Sequence, residues 1–117
     1  MVPEFIRQHF TRITDLTESQ LQRVVDVFQV REYRKHQFMV QLGEVAPNDF
    51  LIESGLAKAY LLDGEGKEYV LQFAMEDWWI SDYQAHFNQS PAGIWVECLE
   101  PVRAWTLSRT DRDALCR

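Results

Sequence analysis

From Val30 to Leu107 the chain divides into short apolar runs, each ended by a turn signal, and this rhythm limits the fold more than any other feature. Residues 38–42 meet Gly43-Glu44, residues 50–53 meet Ser54-Gly55, and residues 56–62 run into Asp63-Gly64-Glu65-Gly66 before 67–74 return. Asp-Gly between apolar runs is a strong hairpin signal, because both residue types tolerate the positive φ that a tight turn demands. A later pair, 94–99 and 102–107, flanks Glu100-Pro101. Strands this short and this evenly spaced specify a mainly β fold, a jelly roll or sandwich.

Helical signals sit at the two ends of this region and once inside it. Phe5, Ile6, Phe10 and Ile13 recur at roughly helical spacing over residues 3–13. Thr17-Glu18-Ser19-Gln20 reads as a capping box, with Leu16 and Leu21 placed as its hydrophobic staple. Leu21, Val24, Val25 and Phe28 then form one apolar stripe, so the second helix is expected over 18–28. Residues 81–88 have room for one or two helical turns, with Ser81 the expected cap. Residues 108–115 look like the capped start of a last helix, with acids in its first turn, shortly before the sequence ends at Arg117.

At 117 residues, residues 1–117 are expected to form one domain. The net charge of −6 and the scattered Lys and Arg argue against a nucleic-acid surface, which needs a concentrated cationic face. The short basic run 31–35 is interrupted by Glu32 and Tyr33. No window is apolar for the ~18 to 20 residues that span a bilayer, and the N-terminus has no basic region followed by an apolar run. No membrane association and a cytoplasmic location are therefore expected. Cys98 and Cys116 lie far apart, and Cys98 reads as a buried free thiol. His9, His36 and His86 are isolated, with no ligand spacing, so no metal and no cofactor are expected. Ser81 or Ser90 beside Asp82 and His86 has no nucleophile elbow, and no enzyme is expected.

The order of elements resembles the effector-binding domain of the Crp–Fnr family of bacterial transcription regulators. Its carriers are Tyr33-Arg34-Lys35-His36-Gln37-Phe38 leading to Gly43-Glu44, then Asp49-Phe50-Leu51-Ile52-Glu53-Ser54-Gly55-Leu56-Ala57-Lys58-Ala59-Tyr60. The hairpin Asp63-Gly64-Glu65-Gly66-Lys67-Glu68, Leu99-Glu100-Pro101 and Leu107-Ser108-Arg109 complete it, so that the likeness covers nearly the whole chain. The resemblance implies a cyclic-nucleotide-binding-like β-roll, a double-stranded β-helix with N-terminal helices and the start of a C-terminal helix. It also implies a small-molecule effector, a homodimer in the intact protein, and DNA contact only through a C-terminal helix-turn-helix domain. On that comparison residues 1–117 are a sensor domain truncated before the dimerisation helix.

Cyclic-nucleotide-binding members carry a phosphate cassette with a Gly-Glu pair opening a short helix, then Pro-Arg and a small residue. Here the Gly-Glu position reads Ile80-Ser81, and Pro91 is followed by Ala92. A slipped alignment substitutes Asp82 for the glutamate but supplies no cation, Lys58 being the nearest candidate in strand terms. The missing arginine removes a charge-assisted contact of roughly 1.5 to 3 kcal/mol. Cyclic AMP is therefore not the expected ligand.

The aromatic density at Trp78, Trp79, Tyr83, Phe87 and Trp95 fits core packing. It also fits a pocket made of Trp79, Ser81, Asp82, Tyr83, Tyr60 and Trp95, with a cavity near the first three, suited to an uncharged or cationic ligand. Three functions follow from these alternatives. The first is an effector-sensing regulatory domain, the second a ligand-free dimerisation or interaction module on the same fold, and the third a cupin-type metalloenzyme.

Overall fold

The computed structural model describes residues 2–115, the side chains of His86 and of residues 113–115 excepted. The sequence readings of Cys116 and of the His86 side chain lie outside the described residues. Helices α1 (Glu4–Thr11) and α2 (Glu18–Val27) open the chain. The capping box is present: the Thr17 hydroxyl accepts the Gln20 amide at 3.2 Å, and the Gln20 side chain accepts the Thr17 amide at 2.8 Å. Arg7 reaches across in a bidentate pair with Glu18 and ties the two helices together.

Eight strands follow: β1 (Gln29–Tyr33), β2 (Phe38–Val40), β3 (Asp49–Ser54), β4 (Ala57–Leu62), β5 (Glu68–Ala74), β6 (Trp79–Ile80), β7 (Trp95–Cys98) and β8 (Val102–Leu107). Helix α3 (Tyr83–Asn88) lies between β6 and β7, and α4 (Arg109–Leu115) follows β8. The strands form two four-stranded antiparallel sheets, ordered β1-β8-β3-β6 and β2-β7-β4-β5. This is the mainly β roll that the turn rhythm implies.

Strand alternation explains the layering. In β3, Phe50 and Ile52 enter the core between the sheets, while Leu51 points the other way into a second cluster beneath the helices. In β8, Val102 and Ala104 face the first cluster and Trp105 and Leu107 the second. Phe50-Leu51-Ile52 is buried on both faces and so reads as a continuous apolar run, whereas Arg103 and Thr106 interrupt the apolar residues of β8. The helices contribute Ile6, Leu21 and Phe28 to the second cluster. Cys98 is the buried free thiol expected of it, and burial, reinforced by Glu97, pushes its pKa up to about 11.

Two strands depart from the sequence reading. β1 was not anticipated because Gln29-Val30-Arg31-Glu32-Tyr33 is polar and largely exposed, and pairing with β8 along its whole length makes it a strand. β6 has only two residues, too few for any periodic signal, and pairs with Phe50 and Leu51. Between Ala59 and Tyr60 the β4–β5 register shifts, leaving Leu71 as an extra residue in β5, a bulge on the edge strand. At the β3–β4 turn Gly55 has φ +103°, and a Cβ there would sit 2.3 Å from the Pro101 carbonyl oxygen.

Candidate functional site

The segment after β6 is built around one carboxylate. Asp82, not Ser81 as expected, caps α3: its Oδ1 accepts the Ala85 amide at 2.9 Å. Its Oδ2 accepts the Gly93 amide at 2.8 Å from the far side of the loop. Asp82 wins the cap because its second oxygen closes the loop as well, which a serine hydroxyl could not do while capping. Ser81 is buried, and its Oγ makes no hydrogen bond of ordinary geometry. Gln89 ends α3 in the left-handed region at φ 52°. Beyond it Ala92 is buried in the core between the sheets, held by amide–carbonyl bonds to Gly43 and Glu44 at 2.7 and 2.8 Å.

Against this loop lies a cleft of about 240 Å³, bounded by Leu61, Leu71, Asp82, Gln84, Ser90 and Gly93. Among its described lining residues none is cationic, and Asp82 is its one ionisable group. Ala92 has no side chain that could extend into the cleft. Lys58 is committed elsewhere: it pairs with Glu68, and its Nζ lies 4.9 Å above the Tyr60 ring.

Tyr60 and Trp95 lie apart from this cleft. They pair in register across β4 and β7, on strands whose inward residues are Ala57, Ala59, Val96 and Cys98. Tyr60 and Trp95 therefore belong to the outer face of the sheet, where Trp95 packs on Phe38 at 5.0 Å between ring centroids. The Tyr60 hydroxyl donates to Glu97 at 3.3 Å, and burial together with the Glu97 carboxylate pushes its pKa up to about 12. His36 approaches the other Glu97 oxygen at 3.3 Å.

Trp79 and Tyr83 border a different depression, a groove of about 550 Å³ on the helical side of the other sheet. Phe10, Leu16, Val24 and Phe28 form its helical wall, and Trp79 and Leu107 its floor. One end is polar: Arg112 Nε pairs with the buried Asp49 carboxylate at 3.2 Å, beside Tyr83. The Tyr83 phenol is raised above its ordinary pKa by burial and then by Asp49. The six expected residues thus divide among three places: Trp79 and Tyr83 at the groove, Asp82 at the cleft, and Tyr60 and Trp95 on the outer face, with Ser81 lining neither depression.

Sequence reasoning missed the group that fixes Trp79. Its indole N–H donates to His9 Nε2 at 3.0 Å, and His9 Nδ1 lies 2.6 Å from Asp77 Oδ1. Arg12 holds the other Asp77 oxygen. An indole N–H can only donate, so His9 here is neutral and carries its proton on Nδ1. Burial alone would raise the Asp77 carboxyl, but the His9 hydrogen bond and the Arg12 guanidinium outweigh it and hold it below the usual range. His9 is buried, although histidine in this position reads from sequence as a surface or partly packed residue. The available signal was its place one turn after Ile6 on the apolar stripe of α1.

A family model described as cyclic nucleotide-binding domain matches residues 30–117. The chain belongs to that family. Its fold is similar to the sensor domain of the transcriptional regulator DNR from Pseudomonas aeruginosa, with 20% identity over 97% of this chain and 80% of that one, TM-score 0.80. It is also similar to the Thermus thermophilus catabolite activator protein, with 18% identity over 86% of this chain and 46% of that one, TM-score 0.73. The regulatory domain of Toxoplasma gondii PKA, solved with cAMP, aligns at 19% identity over 95% of this chain and 41% of that one, TM-score 0.76. No curated protein matches the sequence. The chain spans under half the length of the Thermus protein. Among the described residues no helix is long and apolar enough to cross a membrane.

Proposed function

We propose that the chain is the effector-sensing regulatory domain of a Crp–Fnr-like transcription regulator, and that its effector is not a cyclic nucleotide. The observation that supports this reading is the engagement of both Asp82 oxygens by the amides of Ala85 and Gly93. The chain's own carboxylate takes up donors that close its cassette loop, as a bound anion would. A cyclic phosphate in this cleft would meet Asp82 with no described lining cation to offset it. Two like charges about 4 Å apart repel by roughly 4 kcal/mol at an effective dielectric near 20, or about a thousandfold in affinity.

The domain acts by allostery rather than catalysis. An effector that binds one conformation better than another shifts their populations, and α4 is the element placed to carry that shift out of the domain. In the intact protein this output serves a homodimer in the cytoplasm that contacts DNA through a separate C-terminal domain. Thermal melts and titration calorimetry with cyclic AMP and cyclic GMP test the ligand claim. Neither nucleotide is expected to move the melting temperature at millimolar concentration; a saturable rise of several degrees would overturn the reading.

One observation favours a second reading, a ligand-free interaction module: the space between the sheets is filled by side chains such as Phe50, Ile52, Val40 and Val96. A metabolite panel that leaves both calorimetry and melting untouched would select it over sensing.

A further inference from the structure

We propose that the groove between the N-terminal helices and the β3–β8 sheet is a binding site for an uncharged, apolar small molecule bearing one hydrogen-bonding group. This rests on the sensing reading and names its ligand class and place. At about 550 Å³ the groove falls within the range of small-molecule pockets. Its helical wall and floor are apolar or aromatic throughout. The two charged side chains that reach it, Asp49 and Arg112, pair with each other at one end. A charged ligand would have to break that pair, whereas a single hydroxyl, amide or carbonyl group can share hydrogen bonds with it and with Tyr83 while the ligand body covers Phe28 and Trp79.

A protein partner fits this surface poorly. A stable interface needs about 800 Å² from each side. The longest run of exposed large apolar side chains, with Leu61, Leu62, Val70, Leu71 and Phe73, lies on the β4–β5 hairpin of the other sheet, and others such as Phe87 and Trp78 are exposed singly outside the groove lining. At the groove Tyr83 is the one lining aromatic that is mostly exposed. The placement also supplies a route out: a molecule in the groove touches α1 and α2 on one side and α4, through Arg112, on the other. Filling it changes the surroundings of the Asp49–Arg112 pair, and with them the first turns of α4.

The test uses N-phenyl-1-naphthylamine, an uncharged apolar fluorophore, titrated into the whole chain. Saturable one-to-one enhancement is expected, unaffected by excess cyclic AMP. Val24→Phe, which fills the groove, is expected to weaken binding at least tenfold with the melting temperature held within a few degrees. If Val24→Phe fails to fold, Leu16→Gln at the rim makes the same test by adding polarity. Absence of saturable binding, or wild-type affinity in a folded groove variant, would overturn the proposal. So would binding that proceeds only with a doubling of mass in light scattering, because the occupant would then be a second copy. A chain that responds to cyclic AMP but keeps the groove result would instead overturn the cassette reading alone.

Discussion

The indole N–H of Trp79 donates to Nε2 of His9 at 3.0 Å, joining the strand that leads into the Asp82 loop to a helix 70 residues away in sequence. Because Asp77 takes the other ring nitrogen, the imidazole is held in one tautomer. His9→Phe leaves the indole N–H and a part-buried Asp77 carboxylate oxygen without the partners they have now. A loss of about 2 to 4 kcal/mol is expected in urea denaturation. His9→Gln, which keeps an acceptor for Trp79, should recover part of it.

Asp77 also sets an acid limb. Its carboxyl is held below the ordinary value, so the folded state binds its proton less readily than the unfolded chain does. The stability it contributes is complete above the ordinary carboxylate pKa of 3.8 and disappears as pH falls through the lowered folded value. Asp77→Asn should flatten that part of a stability-versus-pH curve measured between pH 5 and about 2. An unchanged slope would show that other carboxylates carry it.

Asp82→Ala removes the α3 cap and the acceptor for Gly93 together. Loss of a cap costs about 1 kcal/mol and an unsatisfied part-buried amide about 1 to 3 more. Calorimetric melts should place Asp82→Ala well below Asp82→Asn, which keeps one acceptor oxygen.

Gly55→Ala should be among the most damaging small substitutions in the chain. The added methyl meets the Pro101 carbonyl oxygen at 2.3 Å in a backbone held at φ +103°. Both penalties act at one atom, and a loss of at least about 2 kcal/mol is expected in chemical denaturation. The control is Gly64→Ala, where a Cβ meets nothing within 4 Å.

Tyr60 gives the opposite pH signature. Its folded pKa of about 12 exceeds the ordinary 10.0, so its contribution is complete below pH 10 and is lost as pH rises toward 12. Ultraviolet titration should find a tyrosine ionising at about 12, absent in Tyr60→Phe. Glu97→Gln should bring that ionisation back toward 10, since the neighbouring carboxylate helps to raise it.

Much of the fold was legible because the turn chemistry is local. Asp63 accepts the amides of Glu65 and Lys67 at 2.9 and 2.8 Å, the hairpin that Asp-Gly announces, and Thr17 and Gln20 form the box their spacing implies. What stayed hidden depends on partners distant in sequence. β1 is polar and owes its conformation to β8, and His9 becomes a structural residue only because Asp77 and Trp79 arrive from 68 and 70 residues away. The candidate site divides for a similar reason. Strand parity turns Tyr60 and Trp95 outward, and sequence proximity alone does not reveal which face of a sheet a residue occupies.

The extra residue at Leu71 has a consequence for solubility. β5 is an edge strand on which Tyr69, Val70, Leu71 and Phe73 are all substantially exposed, a composition that in a flat strand would template the addition of further chains. The bulge breaks the even comb of amides and carbonyls along that edge, and an incoming strand finds no continuous register to copy. An apolar hairpin is thus displayed to solvent without a regular template for a further strand.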